Sequence, residues 1–187
     1  NVANGGEGGG ILSFNGSTEL DSVTVVGNSV TVNPLITTPA VGGGIYQANG
    51  TLELNNSIVS GNTSPSSADL AGAPAVPGGY GGPAGEFDVS FSMIGDSSGA
   101  PVNETVPGSN LNGVDPQLGT LANNGGPIRT MLPADSSPAI NKGRSNLTSD
   151  QRGLSRPVDF AAIPFSAAVG ANGADMGAVE LQYTPPV

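Results

Sequence analysis

The sequence predicts an all-β fold, a right-handed parallel β-helix with an irregular C-terminal capping region. Three observations predict it. Residues 8–28 read GGGILSFNGSTELDSVTVVGN and residues 42–62 read GGGIYQANGTLELNNSIVSGN, so one pattern is written twice at an offset of 34 residues. Within each copy apolar and polar residues alternate, as in Thr51-Leu52-Glu53-Leu54-Asn55, which is the period of a strand with one buried face. Each copy ends on Gly-Asn, at Gly27-Asn28 and Gly61-Asn62, a pair that accepts the positive φ of a sharp corner. Short strands with corners at fixed offsets suit a chain that coils so that each turn stacks on the one before. The rival is an antiparallel β-sandwich, which also has short strands and frequent turns but does not require corner residues to recur at identical offsets.

The elements follow in order. The first coil spans residues 8–28 and the second 42–62; stacking them places Leu20 beside Leu54 in the interior and Asn28 beside Asn62 at a turn. The structural reading of those asparagines, amides bonding from rung to rung, outweighs ligand binding. A weaker third coil runs through residues 86–96, where SMIGD echoes SIVSGN. Between them residues 63–85, rich in Pro, Ser, Ala and Gly, form an excursion from the wall, read as an exposed loop with Tyr80 as the sharper binding candidate. The coils therefore occupy 1–113, a C-terminal cap of the same domain 114–183, and the start of a proline-rich linker 184–187.

Composition supports one domain. A chain of 187 residues buries roughly 70% of its unfolded surface. Its 30 Gly and 16 Pro bring disorder into consideration, and the periodic apolar segments argue against it. With no Cys and no His, thiolate or imidazole zinc sites, His-based triads, Cys nucleophiles and disulfides are excluded. No transmembrane run or anchor is visible, and the start on Asn1 reads as a processed chain whose targeting segment has been removed. All five basic residues lie between 129 and 156, whereas residues 1–128 carry ten acids and no base. Phosphate binding needs a basic face, so nucleic acid is not an expected partner.

From residue 114 the repeat gives way to LANNGGP (121–127), SPAI (137–140), DQRG (150–153), Arg156-Pro157 and DMGAVE (175–180). Together with the GGGI and GN repeats, these motifs resemble the choice-of-anchor Q domain family. The resemblance covers nearly the whole chain. It implies bacterial surface proteins with parallel β-helix repeats, joined to varied anchoring tails and with no agreed catalytic activity. Asn141 departs from the Asp expected after SPAI. Read physically, Asp150, Arg152, Arg156, Asp175 and Glu180 bring opposite charges into one short region and are expected to form a structural ion network, with guanidinium groups pairing bidentately to carboxylates. Surface pairs of this kind contribute only ~0–1 kcal/mol each.

Catalysis is not expected. Inverting glycoside hydrolysis needs two carboxylates ~6.5–9.5 Å apart across a groove. Glu19, Asp21 and Glu53 recur on the outer wall, but basic residues are missing from it. No Asp-rich loop has calcium-binding spacing, and no cofactor is expected. Of six N-x-S/T sequences, those at Asn15 and Asn49 occupy equivalent loops and are the first glycosylation candidates. The last feature is the coil end. The N-terminus enters the repeat at once, leaving an edge that needs a partner. The leading expectation is a non-enzymatic extracellular structural or adhesive β-solenoid that joins head to tail as a filament subunit, the acidic body meeting the base-bearing C-terminal region. The alternative is a cell-surface module that binds or cleaves carbohydrate.

Overall fold

The computed structural model describes residues 1–35, 40–74 and 84–182. Those residues hold strands and no helix. In chain order the strands are β1 (Val2–Asn4), β2 (Ile11–Ser13), β3 (Ser17–Asp21), β4 (Thr24–Val26), β5 (Ser29–Thr31), β6 (Ile45–Gln47) and β7 (Gly50–Asn55). They continue with β8 (Ile58–Ser60), β9 (Leu70–Gly72), β10 (Gly85–Ser90), β11 (Met93–Ile94), β12 (Val102–Glu104) and β13 (Leu111–Asn112). Four sheets result, with orders β1-β5, β2-β6-β9, β3-β7-β10-β12 and β4-β8-β11-β13. Every strand pair is parallel, which rules out the antiparallel sandwich.

The sequence repeat is the register of these sheets. Ile11 pairs with Ile45, Leu20 with Leu54 and Val25 with Val59, each 34 residues apart. Residues equivalent in sequence are thus neighbours one strand spacing apart, about 4.8 Å. The third layer joins in the same way, Phe87 beside Leu52, Val89 beside Leu54 and Met93 beside Ile58. A fourth layer, β12 and β13, pairs Val102 with Phe87 and Leu111 with Met93. Its strands are too short and polar for alternation to have marked them.

The core lies between the sheets. Ile45, Leu52, Leu54, Val59, Leu70, Phe87 and Val89 are fully enclosed, with Ile11 and Leu20 of the first layer and Val102 of the last packed against them. The corner between the third and fourth sheets is built from Ser22 (φ 54°), Asn56 (φ 47°) and Phe91 (φ 48°), left-handed residues at matching places in three layers. The repeated GGG has another cause. A Cβ on Gly10 would sit 2.7 Å from the Gly44 carbonyl oxygen, and one on Gly44 would sit 2.6 Å from that of Asp69. Adjacent layers approach too closely at this corner for any side chain.

Residues 114–182 contain no strand, only isolated antiparallel bridges such as Gly143 with Ala174 and Ser149 with Ser155. Their position corrects the expectation of an end cap. The contacts that hold this segment are to a side wall: Ala139 and Met176 cover Ile58 and Met93 on the outer face of the fourth sheet. Gly177 N–H donates to the Asn56 carbonyl at 2.7 Å, and Ala178 N–H to Thr24 Oγ1 at 3.0 Å. The physical reason is that Ile58, Met93 and Leu111 leave this sheet apolar on both faces, so the outer one needs a cover. The sharper binding candidate of the excursion, Tyr80, and the linker at 184–187 lie outside the described residues.

Candidate functional site

The asparagine ladder runs through the corner that follows the fourth sheet. Asn28 donates its backbone N–H at 2.9 Å and its Nδ2 at 3.0 Å to Asn62 Oδ1. Above it Asn1 Nδ2 donates to Asn28 Oδ1 at 3.0 Å; below, Asn62 Nδ2 donates to Asp69 Oδ1 at 2.8 Å. Asp69 Oδ2 in turn accepts the Asp96 N–H at 2.8 Å. Burial pushes the Asp69 carboxyl up, opposed by the Asn62 and Asp96 donors. Two acidic residues thus end the ladder, Asp69 from the position before Leu70 and Asp96 from the place where the pattern would have an asparagine. All of these groups are committed to one another, so the ladder is structural. Asn62 is buried, which closes its N-x-S sequence to a glycan. Asn15 and Asn49 are also stacked, Asn49 Nδ2 donating to Asn15 Oδ1 at 3.1 Å, and this pair is exposed.

The five charged residues of the C-terminal half come together, and they are interior rather than at the surface. Asp175 and Glu180 are fully enclosed, and Arg152 and Arg156 nearly so. Arg152 Nε and Nη2 both reach Asp150 Oδ2, at 2.9 and 2.8 Å, and Nη2 also reaches the Glu180 carbonyl at 2.6 Å. Arg156 Nε donates to Glu180 Oε2 at 2.7 Å, while Nη2 spans the Gly177 and Asp175 carbonyls. Neither guanidinium makes the two-oxygen fork expected, because their remaining donors are taken by backbone carbonyls of a segment without strands. Backbone amides complete the carboxylates: Val158 N–H on Glu180 Oε1, Glu180 N–H on Asp150 Oδ2, and Asn141 and Leu181 N–H on the two oxygens of Asp175. Every one of these groups holds a loop in place, so the network is a substitute for a sheet.

Its charge does not balance. Three carboxylates face two guanidinium groups, and the odd one is Asp175. Burial, then the Glu180 carboxylate, push Asp175 up to about 7 against the pull of the Leu181 and Asn141 amides and of Arg156. For Asp150 burial is outweighed by the Arg152 guanidinium and by backbone amides, which hold it below its ordinary value. The surroundings of Asn141 account for an amide after SPAI: its Nδ2 lies within bonding reach of Asp159 Oδ1 and the Phe160 and Ile163 carbonyls. An aspartate has no proton to donate there.

The wall acids fall in two places. Glu19, Glu53 and Asp88 are in register on the outer face of the third sheet. Glu19 and Asp21 also line a cleft of about 230 Å³ whose other sides are Asn55, Ser90, Phe91, Arg144 and Asn146. Glu53 is outside it. The expectation of a wall without basic residues therefore needs correcting, since the chain returns to set Arg144 beside the acids of the first layer. Among the described residues, no group of three or more Asp or Glu side chains has the arrangement of a metal site.

The sheet ends are the remaining feature. β2, β3 and β4 each have a strand neighbour on one side only, as do β12 and β13 at the other end. Val2, Leu12, Phe14, Val32 and Leu35 on and beside the first layer are exposed, as are seven large apolar side chains between residues 114 and 169. With Arg152 and Arg156 enclosed, the base-bearing region has fewer outward cations for steering such ends together than its five basic residues imply. No family model matches the chain, and no curated protein or solved structure matches it.

Proposed function

We propose that the chain is a right-handed parallel β-helix domain with a non-enzymatic structural or adhesive role outside the cell, and that it assembles head to tail. The observation that carries this reading is the in-register parallel stacking of three sheets, open at β2, β3 and β4 at one end and at β12 and β13 at the other. Parallel crossovers in one sheet are right-handed in nearly all proteins, which gives the hand. An open edge templates further strands, and a translated copy offers β12 and β13 to β3 and β4 in the same direction and spacing as the layers already present. A contact between unlike ends yields a filament unless its rotation closes a ring, and stacking along the coil axis by translation does not close. Membership of the choice-of-anchor Q family, proposed on the C-terminal motifs, fits an extracellular setting.

The test is sedimentation and electron microscopy of the purified chain over a wide range of concentration. Filaments one domain wide are expected, and the Val2→Lys/Phe14→Lys double variant should remain monomeric because charge on an edge layer blocks pairing. A native chain that stays monomeric throughout would overturn the assembly reading.

A further inference from the structure

The cleft between the third sheet and residues 144–146 holds polar groups that nothing in the fold uses. Arg144 forms no ion pair among the described residues, although Glu19 and Asp21 share its cleft. Neither its guanidinium, nor the Asn146 amide, nor the Glu19 carboxylate has a hydrogen-bond partner among them. Asp21 uses one oxygen, Oδ1, to accept the Ser22 hydroxyl at 2.6 Å, and its Oδ2 is left over. The Ser90 hydroxyl donates to Asn55 Oδ1 at 2.7 Å, which fixes the amide and leaves Nδ2 as a spare donor.

The backbone that carries them is held in place. Arg144 N–H donates to Asn56 Oδ1 at 3.0 Å and Ser145 N–H to Asn172 Oδ1 at 3.2 Å. The Ser145 and Ser22 hydroxyls lie 3.1 Å apart, tying the returning segment to the first layer beside Asp21. Unused donors and acceptors on a fixed frame are what a polar ligand site requires.

We infer that this cleft binds a neutral sugar ring through vicinal hydroxyl groups. The charge pattern selects that chemistry. An anionic sugar gains Arg144 but meets two carboxylates, and a cationic one gains the carboxylates but meets Arg144. A hydroxyl does both tasks without a charge, donating to Asp21 or Glu19 while accepting from Arg144, Asn55 or Asn146. The volume of about 230 Å³ suits one ring of a longer glycan. The inference is independent of head-to-tail assembly, since the cleft lies on a side wall.

The test uses the full chain on an array of neutral gluco-, manno- and galacto-oligosaccharides with their uronate and amino-sugar counterparts, followed by calorimetric titration of the best neutral binder. A neutral oligosaccharide should bind at least about tenfold more tightly than its charged counterparts. Arg144→Gln and Asp21→Asn should each weaken it by about tenfold or more with the unfolding midpoint unchanged, and Asn146→Ala, at an exposed position, should weaken it in the same direction. Binding to no neutral glycan, preference for a charged one, or variants that bind as the native chain does would each overturn the proposal.

Discussion

Asp175 and Glu180 bury two carboxylates side by side, the Asp175 N–H donating to Glu180 Oε2 at 3.0 Å while Arg156 pairs with Glu180 alone. Asp175 is left to its two backbone amides, and its proton affinity rises as a result.

That rise fixes the direction of the pH dependence. Folded Asp175 titrates at about 7 and unfolded near its ordinary 3.8, so the folded state binds the proton more tightly. Its contribution is fully present below about 4 and is lost as pH rises through about 7, at up to about 1.4 kcal/mol per pH unit. Asp69 acts in the same direction; Asp150, held low, acts oppositely and only at more acid pH. Urea unfolding should therefore show lower stability at pH 7.5 than at pH 5, and Asp175→Asn should flatten that difference. A variant with an unaltered pH profile would refute the assignment.

Removing Arg156 strands Glu180 as a buried charge. Arg156→Met should cost about 3–5 kcal/mol, and adding Glu180→Leu should recover part of it, because a pair of apolar residues tolerates this site better than one unpaired ion. Chemical denaturation of the two variants measures both. A single-variant cost below about 1 kcal/mol would mean that the pair is solvated.

The ladder has one strong and one weak rung pair. Asn62→Ala leaves the buried Asn28 N–H without its acceptor and takes one of three donors from the Asp69 carboxylate, which keeps the Asn62 and Asp96 backbone amides, and should cost about 1–3 kcal/mol. Asn49→Ala removes one exposed amide contact and should change stability by no more than about 0.5 kcal/mol. Comparable losses in the two would sink the distinction between buried and exposed rungs.

Gly44→Ala places a methyl group against the Asp69 carbonyl and the Asn62 amide, at 2.6 and 2.7 Å. Neither can retreat without breaking the stack, so a loss of about 2 kcal/mol or more is expected by thermal or urea unfolding. At Gly27 a methyl group meets nothing within 4 Å, and the left-handed φ of 69° alone should cost about 1 kcal/mol.

The layered half of the fold was legible because its determinants are local and repeated. Leu20 and Leu54 announce their register by standing 34 residues apart with the same neighbours, and GGG at 8–10 and 42–44 announces the close corner. The fourth layer was not legible, since Val102 and Leu111 are placed by β10 and β11 and not by a pattern of their own. The cleft was still further from view. Asp21, Asn55 and Ser90 can be aligned by the repeat, but nothing in the composition says that Arg144 returns to them. Motifs disclosed that Asp150, Arg152, Arg156, Asp175 and Glu180 belong together, and only the contacts disclose that they are buried.

The lateral position of residues 139–178 has a bearing on biogenesis. During synthesis the layers emerge first, and the outward-facing Ile58, Met93 and Leu111 remain greasy and uncovered until Ala139 and Met176 leave the ribosome. The nascent chain must spend that interval with a sticky flank. Once fastened, the late strap touches the first, second and third storeys through Thr24, Asn56 and Met93, so a stack that would otherwise fray storey by storey melts as one unit.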